Sequence, residues 1–214
     1  MEPHAAHRVA HAGPVLDRAE AVMIMVHGRN AGPSAILALR AVIDRPRFAC
    51  VAPAAPGGTW YPFGFMASRE TNEPGLSSGL AVIESLVVDL MARGLPSHKI
   101  VLLGFSQGAC LASEFSIRHP RRYGGVLVLS GGLIGPPGTT WDDVTTSLDG
   151  TPVFLGCSDI DSHIPMQRVI ESEAEFTRLG ARVTRILYPG MGHLVNDDEI
   201  VHVQAVLDEV LPTP

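Results

Sequence analysis

A serine between two glycines has the sequence surroundings of a nucleophile. Residues 104–108 read G-F-S-Q-G. The apolar run 99–103 predicts a buried parallel strand, and the stretch 107–119, which is followed by Pro120, predicts a helix. A serine in such a strand-to-helix turn presents its hydroxyl above the sheet, where it can attack a carbonyl carbon. The five residues alone also fit a glycine-rich turn with an incidental serine, so the rest of the chain has to decide.

The neighbours of Ser106 fit this role. Side chains at Gly104 or Gly108 would collide where the strand and helix backbones approach each other. The N–H group of Gln107 lies at the predicted helix start, which favours negative charge. We therefore expect Gln107 to donate a hydrogen bond to the oxyanion that forms when Ser106 attacks a carbonyl.

Hydrophobic patterning supplies the elements that would position this serine. Strands are predicted at 7–13, 21–26, 48–52, 99–103, 125–130, 152–157 and 182–188, and helices at 34–42, 77–93, 107–119, 165–179 and 199–210. Ser34 is expected to cap the first helix. Buried strands that alternate with helices predict an α/β fold, a mostly parallel, doubly wound sheet with helices on both faces. We expect one domain over residues 1–214, with residues 1–7 as a loose tail.

Acidic and imidazole side chains follow two of the later strands. Asp159 and Asp161 come after strand 152–157, and His193 comes after strand 182–188. Because function gathers at the carboxyl ends of parallel strands, we expect an aspartate, His193 and Ser106 to meet there. The chain order Ser, Asp, His is that of the hydrolases with this turn. His193 would take the serine proton, and the aspartate would orient the imidazole.

The loop after strand 21–26 is the expected source of a second oxyanion donor. His27-Gly28-Arg29 lies at that strand end, and the N–H group of Arg29 is the predicted donor. For His27 itself we favour a structural role in shaping the loop.

The loop after strand 48–52 is long and rich in aromatic residues: Trp60, Tyr61, Phe63 and Phe65 fall within six positions. Long loops of this kind tend to form binding walls or lids, so these four residues are predicted to bind substrate. That they simply plug the core is an equally weighted alternative.

Composition narrows the function classes. The 214 residues carry a net charge of −6, and their 16 Lys and Arg form no basic run, which argues against a nucleic-acid or anionic-membrane partner. We see no secretory signal and no apolar stretch near the ~20 residues that a membrane span needs. Cys50, Cys110 and Cys157 lie in apolar segments and are expected to be buried thiols of a reduced, cytoplasmic protein.

Several motifs together resemble one known family. These are His27-Gly28 after an apolar strand, G-F-S-Q-G-A at 104–109, R-H-P at 118–120, L-S-G at 129–131, an aspartate after Gly156, and Gly192-His193. Over roughly residues 20–210 they resemble the phospholipase/carboxylesterase family of α/β-hydrolases, which includes the acyl-protein thioesterases. The resemblance implies a single-domain serine esterase or thioesterase without cofactors, with Ser106 as nucleophile, Asp159 as acid and His193 as base.

The sequence departs from that family at two points. Members commonly carry Asp, Pro, two apolar residues and Pro after the strand, whereas here the segment from Asp159 to Pro165 is two residues longer. Counting back from Pro165 places Asp161 in the usual position, and counting forward from Gly156 places Asp159 there. We prefer Asp159 because it is nearest to the strand end. Arg29 replaces a commonly apolar residue, which makes substrate preference the least secure part of the resemblance.

The leading hypothesis is therefore a serine hydrolase that cleaves small-molecule carboxylic esters or thioesters through an acyl-enzyme. One alternative is an enzyme that resembles dienelactone hydrolases and acts on small activated esters or lactones, although those usually carry cysteine at the turn. Another is a catalytically silent binding module. Asp159, Asp161 and His163 also include metal-ligand types, but their spacing matches no standard site. No sequence feature decides whether the chain forms homo-oligomers.

Overall fold

The computed structural model describes residues 3–4 and 7–212, and it places seven strands in one sheet. The strands are β1 (Val9–Ala12), β2 (Ala21–Val26), β3 (Phe48–Pro53), β4 (Ile100–Phe105), β5 (Gly125–Leu129), β6 (Pro152–Ser158) and β7 (Arg182–Tyr188). Their order is β1-β3-β2-β4-β5-β6-β7, and every pair is parallel except β1 with β3. The predicted α/β fold with a mostly parallel sheet is confirmed.

Helices cover both faces of the sheet, as predicted. They are α1 (Pro33–Leu37), α2 (Leu39–Ile43), α3 (Gly75–Ala92), α4 (Gln107–Arg118), α5 (Met166–Arg178) and α6 (Asp197–Val210). One core cluster unites a sheet face with α3, α4 and α5 through residues such as Ile83, Phe115 and Phe176. A second cluster unites the other face with α1, α2 and α6 through residues such as Ile36 and Val203.

The starts of α1, α3, α5 and α6 differ from the sequence prediction by one or two residues, and those of α1 and α6 have a visible cause. The expected helix 34–42 is two short helices that meet at Ala38, and its N-cap is Gly32, with Pro33 in the first turn, rather than Ser34. Helix α6 begins at Asp197 because Asn196 and Glu199 form a capping box, in which each side chain accepts the other's backbone N–H.

Helix α3 is long and apolar enough to cross a membrane when judged by length and composition alone. In this fold half of that stretch is buried, and Leu76, Ile83 and Val87 lie in the first core cluster. The apolar character of α3 is thus accounted for by packing against the sheet.

The prediction of a loose tail at residues 1–7 is wrong at His4; residues 1, 2, 5 and 6 lie outside the described part. His4 is only 2% exposed. Its backbone N–H donates to Ser78 Oγ at 2.9 Å, and its Nε2 lies 2.8 Å from the carbonyl oxygen of Trp60. His4 therefore helps to hold the aromatic loop, residues 54–66.

The strand order creates the crevice for the site. From β2 the chain passes to β3 on one side and later to β4 on the other, so the loops after β2 and β4 diverge. Such a switch point is where ligands bind in open α/β sheets. The carboxyl end of β4 is residue 105, next to Ser106.

Candidate active site

Ser106 sits in a strained turn between β4 and α4. Its φ of 56° and ψ of −123° are unusual for a residue other than glycine and cost about 1–3 kcal/mol. A Cβ on Gly104 would lie 2.3 Å from the carbonyl oxygen of Gly108, and one on Gly108 would lie 2.1 Å from that of Val26. Glycine is therefore required at both positions, which explains the G-x-S-x-G spacing.

A continuous hydrogen-bond chain begins at this serine. His193 Nε2 lies 2.9 Å from Ser106 Oγ, and His193 Nδ1 lies 2.7 Å from Asp161 Oδ2. The three side chains follow β4, β7 and β6, whose carboxyl ends share one edge of the sheet. The structure thus brings Ser106 and His193 together as the sequence predicts.

The acid in this hydrogen-bond chain is Asp161, so the sequence-based preference for Asp159 is wrong. Asp159 continues the β6–β7 ladder through its N–H bond to Tyr188, and its exposed Oδ1 accepts the N–H of Gly190 at 2.8 Å. The strand runs one residue further than predicted, to Ser158. Because the strand extends to Ser158, the polypeptide has to turn once more before a carboxylate side chain can point back at His193. Counting back from Pro165 by the spacing usual in the family gives Asp161, the residue that contacts His193.

Asp161 is held as a carboxylate. Its side chain is fully buried, and Oδ1 accepts the N–H groups of His163 at 2.8 Å and Ile164 at 3.0 Å. Burial raises its pKa, but the hydrogen bonds from His193, His163 and Ile164 outweigh burial, and the net pKa is below the ordinary value. A charged Asp161 fixes the tautomer that leaves His193 Nε2 able to accept the proton of Ser106.

The loop that carries His193 is fastened to the end of β6. Ser158, which is buried, accepts the N–H groups of Ile160 at 3.1 Å and Gly192 at 3.0 Å. Together with the bond from Gly190 to Asp159, this ties the two loops of the site to each other. Sequence reasoning missed Ser158; a serine at the last position of a strand next to the expected acid was the available clue.

The segments that carry the two predicted oxyanion donors lie beside Ser106. Gln107 is the first residue of α4, where backbone N–H groups have no partner within the helix. A Cβ built on Gly28, the residue before Arg29, would lie 3.3 Å from Ser106 Cβ. The backbone of both loops is therefore close enough to flank an oxyanion at this serine.

The aromatic residues divide into two pairs. Tyr61 and Phe65 are buried and line the cavity in front of Ser106. Trp60 is fully buried behind it, where Nε1 donates to the carbonyl oxygen of His27 at 2.9 Å, and Phe63 is 57% exposed outside it. The predicted contact with substrate is therefore compatible with Tyr61 and Phe65, while Trp60 is a core residue.

His27 is buried and has both ring nitrogens occupied. Its Nδ1 lies 2.8 Å from the carbonyl oxygen of Gly28, and its Nε2 accepts the N–H of Ala55 at 3.1 Å. Burial lowers its pKa, which favours the neutral ring that this bonding requires. These contacts fit the structural role expected for it.

The site opens into a cavity of about 640 Å³. Its walls are mostly apolar. The lining residues are His27, Gly28, Arg29, Asn30, Ala31, Ala35, Ile36, Leu39, Tyr61, Gly64, Phe65, Phe105, Ser106, Gln107, Cys110, His163, Ile164, His193 and Val195.

The three cysteines do not share the surroundings of Ser106. All three cysteines are buried free thiols, and burial raises the pKa of Cys110 and of Cys157 to about 12. Cys157 Sγ lies 3.8 Å from Asp161 Oδ2, toward which its S–H can point. Within residues 3–4 and 7–212, no group of three His, Cys, Asp or Glu side chains is arranged to hold a metal ion.

Comparisons with known proteins agree with this geometry. The model of the phospholipase/carboxylesterase family matches residues 13–211. Acyl-protein thioesterase 1 of Eremothecium gossypii is 30% identical over 169 residues, which are 75% of this chain and 70% of that protein. The aligned parts span between 59% and 70% of the acyl-protein thioesterases compared.

Solved structures extend the likeness to nearly the whole chain. A phospholipase/carboxylesterase from Dyadobacter fermentans is 36% identical, with a TM-score of 0.92, over 97% of this chain and 99% of that one. The carboxylesterase of Bacillus cereus, at 16% identity, shares the fold with a TM-score of 0.74 over 97% of this chain and 96% of that one.

Proposed function

This chain belongs to the phospholipase/carboxylesterase family and is a serine hydrolase of carboxylic esters or thioesters, and on that premise we propose that Ser106, His193 and Asp161 are its catalytic triad. The observation that carries the proposal is the unbroken hydrogen-bond chain from Ser106 Oγ through His193 to Asp161, with Ser106 and His193 in the cavity lining. Asp161 replaces Asp159 as the proposed acid.

The proposed first half-reaction is acylation. Ser106 Oγ attacks the carbonyl carbon while its proton passes to His193 Nε2, and the carbonyl oxygen becomes an oxyanion. The tetrahedral intermediate then breaks its bond to the alcohol or thiol. That leaving group takes the proton from His193 and departs, and the acyl group stays on Ser106.

The second half-reaction regenerates the serine. Water attacks the acyl carbon, His193 takes a water proton, and the bond to Ser106 Oγ breaks as His193 returns the proton to that oxygen. The buried carboxylate of Asp161 stabilises the imidazolium that forms in each half.

The backbone N–H groups of Gln107 and Arg29 are the proposed oxyanion donors. Loss of one such donor typically lowers kcat about 10²–10³-fold, so the placement of both loops matters for the rate. Position supports this assignment, since Gln107 begins the helix that follows Ser106 and Arg29 follows the glycine packed on Ser106.

For the substrate we propose a small ester or thioester whose acyl part lies against Tyr61 and Phe65. The relatedness to acyl-protein thioesterases supports including thioesters. We also propose that the enzyme works in the cytoplasm, where its three buried free thiols would stay reduced.

Hydrolysis of p-nitrophenyl esters over a series of acyl lengths tests the proposal, with Ser106→Ala as the variant. We expect the variant to lose activity about 10⁵–10⁶-fold, since removal of a triad nucleophile leaves only the oxyanion hole and binding. A fluorophosphonate probe should label the wild type and not the variant. Undiminished turnover by Ser106→Ala would overturn the assignment.

A further inference from the structure

The charges around the cavity differ from those of the chain as a whole. The protein carries 22 Asp and Glu against 16 Lys and Arg. Among the residues that the structure describes, however, no acidic residue lines the cavity; the ionisable nitrogen groups of the lining are those of Arg29, His27, His163 and His193. An acidic protein thus has an active-site cavity whose described lining consists of cationic and neutral groups.

Arg29 supplies a positive charge without a carboxylate partner. Nine other arginines of the described chain form ion pairs with Asp or Glu, and Arg29 forms none. Its guanidinium instead donates to the carbonyl oxygens of Tyr61 at 2.9 Å, Pro62 at 2.9 Å and Phe63 at 2.6 Å. These bonds orient the group but leave its charge uncompensated.

The Arg29 guanidinium still has N–H groups that can donate hydrogen bonds to a bound anion. It has five N–H groups in a planar fork, and the three bonds to the aromatic loop leave the Nε–H and one Nη1–H. These two N–H groups point to different sides of the guanidinium, and each can donate one charge-assisted hydrogen bond to a carboxylate. Because Arg29 is exposed and lines the cavity, a bound substrate can reach these donors.

His163 lies at the same cavity and faces His193. Its ring is exposed and meets the His193 ring edge-on, with the ring centroids 4.7 Å apart. Its backbone N–H is taken by Asp161, but its ring makes no hydrogen bond within the described residues. In either tautomer the ring can donate one hydrogen bond to an anionic group.

The nearest acids do not cancel these charges. Asp161 is buried behind His193, and Asp159 is turned away toward Gly190. Glu114, on the far side of Cys110, is buried and paired with Arg69 and Arg118. A carboxylate in the cavity would therefore meet donors and a positive charge without a competing carboxylate in the lining.

We propose that the preferred substrates are esters or thioesters that carry a carboxylate, bound by the Arg29 guanidinium with the His163 ring as a second donor. This proposal rests on the proposed function, because the carboxylate would be held beside the Ser106–His193 pair. Arg29 would then set specificity with its side chain, separately from the backbone N–H proposed as an oxyanion donor.

The test compares charged and uncharged substrates of matched shape. One pair is mono-p-nitrophenyl glutarate and p-nitrophenyl glutaramate, with the charge on the acyl part. The other is p-carboxyphenyl acetate and p-carbamoylphenyl acetate, with the charge on the leaving group. For at least one pair we expect kcat/KM, corrected for the uncatalysed rate, to favour the anion by about tenfold, as a charge-assisted hydrogen bond provides.

Variants locate the origin of that preference. Arg29→Gln should bring the anion-to-neutral ratio close to one, Arg29→Lys should keep part of it, and His163→Gln should lower it less. Arg29→Gln also loosens the aromatic loop, but that damage affects both members of a pair and cancels in the ratio. High salt should shrink the wild-type ratio as well.

The outcomes separate this proposal from the proposed function. Absence of Ser106-dependent hydrolysis of the neutral esters would count against the triad. Normal hydrolysis of neutral esters with no anion preference in either pair would overturn only the carboxylate site. A preference that survives unchanged in Arg29→Gln would overturn it too.

Discussion

The two sides of the cavity are built in different ways. One side is the aromatic loop, residues 54–66, and the other consists of the loops at 158–164 and 189–195. In the aromatic loop Trp60 and Tyr61 are almost completely buried, although the loop has little regular secondary structure. In the other loops Ile160 is 66% exposed and Leu194 47% exposed.

Buried side chains from outside hold the aromatic loop in place. Gln107 accepts the N–H of Trp60 at 3.0 Å and donates to the carbonyl oxygen of Tyr61 at 2.8 Å. Asn72 accepts the N–H of Phe63 at 2.9 Å and donates to the carbonyl oxygen of Gly64 at 3.1 Å. Each side chain satisfies one donor and one acceptor of the loop backbone, as buried peptide groups require.

The opposite side depends on short-range contacts at the end of one strand. Ser158, Asp159 and Asp161 lie within four positions, and between them they hold the His193 loop and the His193 ring. The comparison teaches that one side of the site is fixed by burial and by polar side chains from distant segments, while the other is fixed by a few polar side chains at the end of one strand. Substitutions should therefore affect stability on the first side and catalysis on the second.

The largest expected effect is on kcat, and it distinguishes Asp161 from Asp159. Asp161→Asn should lower kcat about 10³–10⁴-fold, because the amide cannot stabilise the imidazolium and favours the wrong tautomer. Asp159→Asn should lower it less than about tenfold, since the amide oxygen can still accept the Gly190 N–H. Steady-state kinetics with a p-nitrophenyl ester measures both.

Circular dichroism of the two aspartate variants controls for misfolding. If Asp159→Asn were the more damaging of the two, the assignment of Asp161 as the orienting acid would have to be abandoned.

The next effect concerns Glu199, which caps α6 just beyond the His193 loop. Glu199 is fully buried; Oε2 accepts the N–H of Asn196, and within the described residues Oε1 has no hydrogen-bond partner. Burial raises its pKa to about 7, and the bond from Asn196 only partly opposes this. Because the folded protein binds this proton more tightly than the unfolded chain does, stability contributed by Glu199 declines as pH rises from about 4.5 to 7.

Glu199→Gln should remove this decline. We expect the variant to exceed the wild type in free energy of unfolding by up to ~3 kcal/mol at pH 8 and to match it closely near pH 5. Urea unfolding at both pH values measures the difference. Glu209→Gln, on the exposed part of α6, is the matched control and should show no such pH dependence. Equal stability differences at the two pH values would contradict the explanation.

The smallest of the three effects tests the packed side. Asn72→Ala leaves the N–H of Phe63 and the carbonyl of Gly64 without their partner, which should lower the free energy of unfolding by about 2 kcal/mol. Thr71→Ala removes an exposed side-chain bond to Ser68 and should change it by less than ~0.5 kcal/mol. Thermal unfolding distinguishes the two, and equal losses would show that Asn72 does not hold the loop.

Strands could be predicted from the sequence where apolar or β-branched residues form a continuous or alternating pattern. The strand at 21–26 and that at 182–188 were predicted with the bounds that the structure has, since apolar or β-branched runs report strand packing directly. Ser106 and His193 were also found, because strand ends gather at one edge of a parallel sheet. The choice between Asp159 and Asp161 was not predictable in this way, since it depends on where β6 ends and how the chain then turns.

The polar side chains that hold the aromatic loop could not be predicted from the sequence, for a different reason. His4, Asn72 and Gln107 reach it from three separate segments, and no local pattern marks a polar side chain that will bond a distant backbone. The same limit applied to Trp60, whose aromatic type suggested substrate contact while its surroundings place it in the core.

The order of the site residues along the chain has a consequence for biosynthesis. Asp161 follows Ser106 by 55 residues, and His193 follows Asp161 by another 32 residues. A nascent or truncated chain that ends before β7 contains the proposed nucleophile without its proposed base. On the proposed mechanism, hydrolytic activity therefore requires β7, the last of the seven strands in chain order, and the loop that follows it.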